Sequence, residues 1–390
     1  MLSLPRMKIV IVSNALHEKQ FLEVPALIYQ GDAAYIRPLD KDIIDVFNTR
    51  KNKFFRHGEC ERWLLEDERG RMIGRIAVFV NRKYQQEQPT GGIGFFECIN
   101  NREAAHFLFD EAVKWLKVRG MEAMDGPINF GERDRWWGLL VNGFHEPLYG
   151  MNYHPPYYRD LFESFGFQVY FHQLCFGMDT QTPLSDKMKR WHDHYAADPD
   201  FKAEHIRKNE LDRFASDFTT IYNKAWAKHG GGKTMELKQA RLLFSKMKPV
   251  IDEEITWFVY HKGEPIAMWI NLPDLNQYFR HFNGKFGWIQ KLWFLYMQWR
   301  NRCTRFVGLV YGVVPEWQGK GTDAYMIGEC DRYVKNRSSY QKYEMQWIGD
   351  FNPKMVNLAH HLEASEVRRL STYRYLFDRS APFKRHPMLS

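Results

Sequence analysis

The same order of elements occurs twice along these 390 residues, and that repetition restricts the chain to a two-part α/β architecture. Apolar periodicity puts strand KIVIVS at 8–13, followed by helical EKQFLEVPALIY and DKDIIDVFN. Strands ERWLLE and RMIGRIAVFV flank the turn residues Asp67 and Gly70, a hairpin signal. Strand GIGFFECI leads into NREAAHFLFDEAVKWLKVRG, where Ala104, Phe107, Leu108, Ala112, Trp115 and Leu116 form one apolar stripe and Gly120 ends the helix. Strand EAMDGPI, a long loop, helix YYRDLFESFG and strand VYFHQLCFGM complete the half. The order then repeats through AEHIR, LDRFASDFTTIYNKAWAKH, KQARLLFSKMKPVI, the hairpin ITWFVYHKGEPIAMWINL, RFVGLVYGVV, DAYMIGECDRYVKN, KYEMQWIG, PKMVNLAHHL and RRLSTYRYLF. Two copies of β-α-α-β-β-β-α-β-α-β predict an α/β (α+β) chain with domains at 1–180 and 201–390. The polar segment 181–200, with Pro183 and Pro199, reads as their connection.

The second copy carries the more specific chemistry. In VVPEWQGKGTDAYMIGEC, residues 313–330, an apolar strand passes through a glycine-bearing turn directly into a helix. The first N–H groups of a helix lack partners inside it, and the helix dipole places partial positive charge there. Gly319 and Gly321 have no Cβ, so their backbone can approach an anion and adopt positive φ. The segment reads either as a phosphate nest or as an ordinary strand–turn–helix joint. The matching turn of the first copy, Ile99-Asn100-Asn101-Arg102-Glu103, has no glycine. HGGGK at 229–233 is glycine-rich but lacks the downstream pattern of a nucleotide-binding turn.

Element order and local motifs together resemble the GNAT superfamily of acyl-CoA N-acyltransferases. FLEVPALIYQGDAAYIRPLD, GRIAVFVN, FFECINN, MDGPINF, WGLLVNGF and YHPPYYRDLFESFGF, with LPDLN, GVVPEWQGKG and DFNPKM in the second half, are similar to bacterial tandem-GNAT, N-acetyltransferase-like proteins. The resemblance spans nearly the whole chain. It implies two GNAT-like domains, each a mixed, mostly antiparallel sheet flanked by helices, with acetyl-CoA or acyl-CoA as donor and a small-molecule amine as acceptor; the Cys and His spacing separately predicts no metal. Gln318 and Gly321 fall on the family's Gln/Arg-x-x-Gly-x-Gly/Ala spacing, which implies that Gln318, Gly319, Lys320, Gly321 and Thr322 hold the pyrophosphate. Asp323 departs from it; its carboxylate either repels the pyrophosphate or faces away as a first-turn helix residue. The pantetheine arm would pair with the backbone of Val313 and Val314. Asn352 matches an asparagine that the family often follows with a thiolate-protonating tyrosine, but Ala359 stands at that place here. Asn352 before Pro353 is also a plain helix start.

On this scheme the active site lies in the second half, and residues 1–180 form a degenerate copy that packs against it or shapes its cleft. The amine needs a base and the departing thiolate a proton. Asp274, Glu344 and Asp350 are the candidate bases, and His360, His361, Tyr373 and Tyr375 the candidate acids; packing or surface roles are the plainer reading of each acid.

FGWIQKLWFLYMQWRNRCTR at 286–305 interrupts the repeat. At helical spacing Trp288, Leu292, Leu295, Tyr296 and Trp299 form an aromatic stripe, with Lys291, Arg300, Arg302 and Arg305 beside it. Such a helix can lie on an anionic membrane or line an acyl channel, although a core stripe between the domains is the plainer expectation. The formal charge of +8 suits an anionic cofactor, an acyl-carrier protein or a membrane surface; its even spread disfavours nucleic acid. Five scattered cysteines without CxxC spacing read as reduced thiols, and the His192-Asp193-His194 group is a weak metal motif. No run of apolar residues is long enough for a membrane span or signal-peptide core, so a cytoplasmic protein is expected. A non-catalytic GNAT-fold binding protein and a membrane-associated long-chain N-acyltransferase fed by acyl-carrier protein remain as alternatives.

Overall fold

The computed structural model describes residues 7–83, 86–226, 234–300 and 302–389, and the HGGGK segment lies outside the described residues. The first half contains β1 (Lys8–Ile11), α1 (Ala15–Ile28), α2 (Asp40–Val46), β2 (Gly58–Glu66), β3 (Met72–Asn81) and β4 (Thr90–Cys98). It continues through α3 (Arg102–Val118), β5 (Ala123–Gly126), β6 (Leu139–Asn142), α4 (Tyr158–Phe165) and β7 (Gln168–Asp179). Helix α5 (Asp186–Ala197) leads to β8 (Phe201–His205), α6 (Leu211–Trp226), α7 (Leu237–Met247), β9 (Trp257–His261), β10 (Glu264–Pro273), α8 (Asn276–Phe279) and α9 (Trp288–Trp299). The chain closes with β11 (Arg305–Val313), α10 (Thr322–Arg337), β12 (Lys342–Met345), β13 (Ile348–Gly349), α11 (Pro353–His361) and β14 (Ser365–Leu376). Local chemistry fixes several ends. Asn14 and Asn101 accept N–H bonds from His17 and Ala104 to start α1 and α3, and Gly166, at φ +109°, ends α4.

All described strands join one mostly antiparallel sheet, ordered β1-β2-β3-β4-β5-β14-β7-β12-β11-β10-β9-β8, with β6 on β14 and β13 on β7. The order is symmetric about the β14–β7 pair, and at that centre the halves exchange strands. β14, from the end of the chain, pairs with β5 of the first half, while β7, which ends the first half, pairs with β12 of the second. A boundary at 180–200 thus cuts between strands that hydrogen-bond across it. The exchange also puts Tyr373 of β14 into the first half's core among Phe162, Met124 and Phe167.

Each half carries a one-residue bulge at the same place. Arg75 and Ala77 of β3 face Glu97 and Gly94 of β4, and Ile270 and Asn271 of β10 face Val310 and Gly308 of β11, so β4 and β11 each have an extra residue. Both bulged strands are followed by a helix and then a short parallel partner.

Two segments differ from their sequence expectation. Residues 186–197 of the connection form α5, capped by Ser185, because Met188, His192 and Tyr195 recur at helical spacing and bury against α10. His192 fits only because Gly328 lacks a side chain, and its Nε2 lies 2.8 Å from Glu329 Oε1. Among the described residues no cluster of His, Cys, Asp or Glu is arranged to hold a metal. In α9 the core expectation is overturned: Phe294 and Met297 are buried, while Trp288, Leu292, Leu295, Tyr296 and Trp299 face solvent. The helix has two apolar faces, and periodicity marks the wider one without saying that it turns outward.

Cys98, Cys175, Cys303 and Cys330 are buried, all five cysteines are free, and burial pushes the Cys98 and Cys303 thiols up to about 12. No described helix is long and apolar enough to cross a membrane.

Candidate active site

β11 and β12 run parallel from Arg305 opposite Lys342 to Gly308 opposite Met345. After a last bond from Gln346 N–H to Gly308 O, at 3.0 Å, the strands part: β12 ends at Met345, and β13 beyond it pairs with β7 and not with β11. β11 continues through the bulge at Leu309 to the glycine turn.

In that turn Gly319 and Gly321 adopt φ of +74° and +77°. A side chain at Gly319 would meet nothing within 4 Å, so this side of the turn is open. Among the described residues, no acceptor is paired with the N–H groups of Gly319, Gly321, Thr322 or Asp323. Four free donors beside a helix N-terminus form an anion nest. Gln318 Nε2 braces the turn by donating to Val313 O at 2.9 Å, and Lys320 lies over the Trp317 ring. The Val314 N–H donates to Ile266 O, so it serves the sheet and not the gap. Asp323 is turned back onto β11, where its Oδ2 accepts from Tyr311 OH at 2.9 Å. The opposite side of the turn is covered by α5: Trp191 abuts Gly321, and Tyr195 OH donates to Lys320 O at 2.6 Å.

At the other end of β11 lies a buried ion network. Arg305 reaches Asp274 Oδ2 through Nε and Nη2 at 3.0 and 2.6 Å and Glu344 Oε2 at 3.4 Å. Arg368, from the exchanged strand β14, donates to Glu344 Oε1 at 3.1 Å and to the His145 and Glu146 carbonyls. Burial raises Asp274 despite the pull of Arg305. Burial would also raise Glu344, but His145, Arg368 and Arg305 outweigh it and hold the carboxyl below its ordinary range. His145 Nε2 stands 3.7 Å from Glu344 Oε2 with 43% of its side chain exposed, which makes it the solvent-facing member of a group otherwise sealed from water.

Asp274 and Glu344 are therefore brought together, through Arg305. The candidate acids are not part of this cluster. Tyr373 lies five residues beyond Arg368 along β14, ~16 Å away, with its hydroxyl on Glu163 at 2.9 Å. His360 is exposed on α11, its ring edge-on to Phe176. Asp350 binds the His172 N–H and Arg385, and Asn352 caps α11 through the Met355 N–H. His145 and Arg368 are not among the residues the sequence singles out, and Arg305, grouped there with the basic residues of 286–305, is instead buried against Asp274 and Glu344. Arginines inside apolar strand runs were the available signal, since such a charge must find a buried partner.

The first half lacks the open gap. β4 and β5 pair only from Thr90 to Gly92, but Ile128 N–H then donates to Ile93 O at 2.7 Å, so residues 127–130 run into the space beside β4. Asn101 Oδ1 caps α3 by accepting the Ala104 N–H, the third of the helix, at 2.9 Å. Glu97, beyond the β4 bulge, is buried under the hydroxyls of Tyr29 and Tyr158 at 2.9 and 2.8 Å with Arg75 at 3.4 Å; burial raises its carboxyl. A cavity of about 410 Å³ in this half is lined by Phe54, Phe79, Gly92, Asp125, Ile128 and Phe130.

No family model matches the chain. The chain is 24% identical to the "Bacterial ceramide synthase" of Caulobacter vibrioides over 369 residues, 91% of this chain and 94% of that protein. It is 25% identical to "Protein YghO" of Escherichia coli over 368 residues, 91% and 92% of the two. Among solved structures it is similar to a tandem GNAT protein from the clavulanic acid biosynthesis pathway, with TM-score 0.54 and 10% identity over 96% of this chain and all of that one. The chain has the tandem GNAT fold, and the likeness covers both halves.

Proposed function

We propose that this protein transfers an acyl group from a coenzyme A thioester to an amine, at a site in the second half. The observation that carries the reading is the set of four unpaired N–H groups at Gly319, Gly321, Thr322 and Asp323, set beside strands that part after Gly308. The nest suits a pyrophosphate, with Gln318 and Lys320 at its rim, and the gap between β11 and β12 suits an acyl thioester alongside Val313. The similarity to a ceramide synthase supports the bond formed, since ceramide is the amide of a long-chain amino alcohol and a fatty acid.

On this reading His145 and Glu344 carry the proton work. Glu344 lies opposite Val307, just before the strands part, and His145 joins it to solvent. The amine nitrogen attacks the thioester carbon, the C–S bond breaks, and His145 takes the amine proton and returns it to the thiolate sulfur. Glu344 stabilises the imidazolium, and Asp274 holds Arg305 in place behind Glu344. Neither His360 nor Tyr373 is needed.

Calorimetric titration with acetyl-CoA, a long-chain acyl-CoA and an acyl-carrier-protein thioester tests the donor. Binding that Gly321→Glu abolishes supports the nest, and no binding of any thioester overturns it. His145→Gln is expected to lower kcat by ~10²–10⁴-fold with the donor Kd unchanged. The second reading, binding without catalysis, is favoured by the cover that Trp191 places on Gly321. Thioester binding with no transfer to any amine of a broad panel would establish it.

A further inference from the structure

Helix α9 presents its apolar residues outward. At 100° per residue, Trp288, Ile289, Leu292, Trp293, Leu295, Tyr296 and Trp299 span an arc of about 160°, and each is between 45% and 77% exposed. The helix is held to the protein from its other side, where Phe294 packs on Tyr278 and Phe279. The fold does not require this excursion. The first half makes the same strand-to-strand connection, β3 to β4, with residues 82–89, where the second half uses 274–304 between β10 and β11. A contiguous exposed patch of this kind marks an interaction surface.

The charge around it selects the partner. Residues 275–315 contain Arg280, Lys285, Lys291, Arg300, Arg302 and Arg305 and no Asp or Glu. Arg280 is paired with Glu146 and Arg305 with Asp274, whereas no ion pair holds Lys285, Lys291, Arg300 or Arg302 among the described residues. Helix α7 extends the surface: Gln298 Nε2 donates to Pro249 O just past its end, Leu242 and Leu243 are exposed on it, and residues 237–251 carry Lys238, Lys246 and Lys248, with Arg241 paired to Asp212. A second copy of this chain docked face to face would set these cations against themselves. An anionic bilayer neutralises them and accepts tryptophans at the depth they favour.

We infer that α9 and the adjoining end of α7 seat the protein on an anionic membrane surface. Resting on the acyl-transfer reading, the acceptor is an amine carried on a lipid chain and delivered from that surface. Helix α9 enters β11 at Arg305, beside the Asp274–Arg305–Glu344 network, while the anion nest lies past the other end of the strand, ~30 Å away. A bilayer at the first end leaves the second open to a water-soluble donor.

The test is vesicle sedimentation at low and moderate salt, with phosphatidylcholine alone and with phosphatidylcholine plus phosphatidylglycerol. The wild-type chain is expected to sediment with the anionic vesicles, with a blue-shifted tryptophan emission. The triple variant Trp288→Ser, Leu292→Ser, Trp299→Ser should lose ~tenfold or more in apparent affinity, as should Lys291→Glu, Arg300→Glu, Arg302→Glu, both with unchanged melting temperature and donor Kd. Failure of the wild type to bind anionic vesicles at low salt overturns the inference. So does equal binding by the triple variant, or a concentration-dependent dimer that the triple variant dissociates. Vesicle binding without acyl transfer would leave the docking standing and remove the acyl-transfer reading. Transfer to soluble amines without vesicle binding would do the reverse.

Discussion

A Cβ on Gly321 would stand 2.5 Å from Cδ2 of Trp191, so α5 closes directly over the turn that opens α10. Gly321 therefore satisfies two demands, a φ of +77° and an absent side chain. Gly321→Ala is expected to cost ~1–3 kcal/mol from the backbone conformation alone, with a further loss from displacing the indole. Trp191→Ala combined with Gly321→Ala should recover the second part and not the first. A double-mutant cycle by urea denaturation measures this, and strict additivity would mean that Trp191 does not press on Gly321.

Arg305 is the hinge of the buried network, facing Asp274 and Glu344 at once. Arg305→Met leaves Asp274 without a cation in the interior and Glu344 with Arg368 and His145 alone, and the expected cost is ~3–5 kcal/mol. Adding Asp274→Asn should return a substantial part of it, because a neutral amide is less costly to bury than an unpaired carboxylate. Chemical denaturation of the single and double variants decides this; an Arg305→Met protein as stable as wild type would show that water reaches the network.

Much of this arrangement is written locally and some of it is not. The hairpin at Asp67 and Gly70, the Asn101 cap and the strand–glycine–helix joint at 313–330 are signals confined to a few neighbouring residues, so they are legible. The partners of β7 and β14 are not. Both strands alternate in the same way, and nothing within VYFHQLCFGM or RRLSTYRYLF states which half will receive it. By sequence position Tyr373 belongs to the second half, although the exchange carries it into the first half's core. The pairing of His145 with Glu344 spans nearly two hundred residues and depends on that same exchange, since Arg368 comes from β14. For α9, period gives the stripe but not its direction. Both faces are apolar, and only packing against Tyr278 and Phe279 decides which one is inside.

His154 supplies a pH test of the first half. Its imidazole is buried, Nδ1 accepts the Leu140 N–H at 3.2 Å, and burial holds it down to about 3 from its ordinary 6.5. The folded state keeps this ring neutral while the unfolded chain takes up a proton, so the unfolded state binds more protons below pH 6.5. Stability therefore falls as pH falls from 6.5 toward 3, by up to ~1.4 kcal/mol per pH unit from this residue. His154→Gln should flatten the slope by that amount between pH 6 and 5 in urea titrations. An unchanged slope would mean that His154 is charged in the folded protein.

The exchange of β7 and β14 makes a prediction about independence. A chain ending at residue 180 has β5 without the strand that normally covers it, and β7 without β14 or β12 on either side. Its core also loses Tyr373, fully enclosed in the intact molecule. Removing a central strand leaves two unpaired edges and opens apolar surface to water, which favours aggregation over a folded monomer. Residues 1–180 made alone should show no cooperative thermal transition, and the same should hold for 181–390, whose β12 then lacks β7. Co-expressed as two polypeptides, the halves should purify as a one-to-one complex and melt in a single transition near that of the intact chain. A cooperatively folded, monomeric 1–180 fragment would refute this, because it would show that the first half closes its sheet with β7 alone.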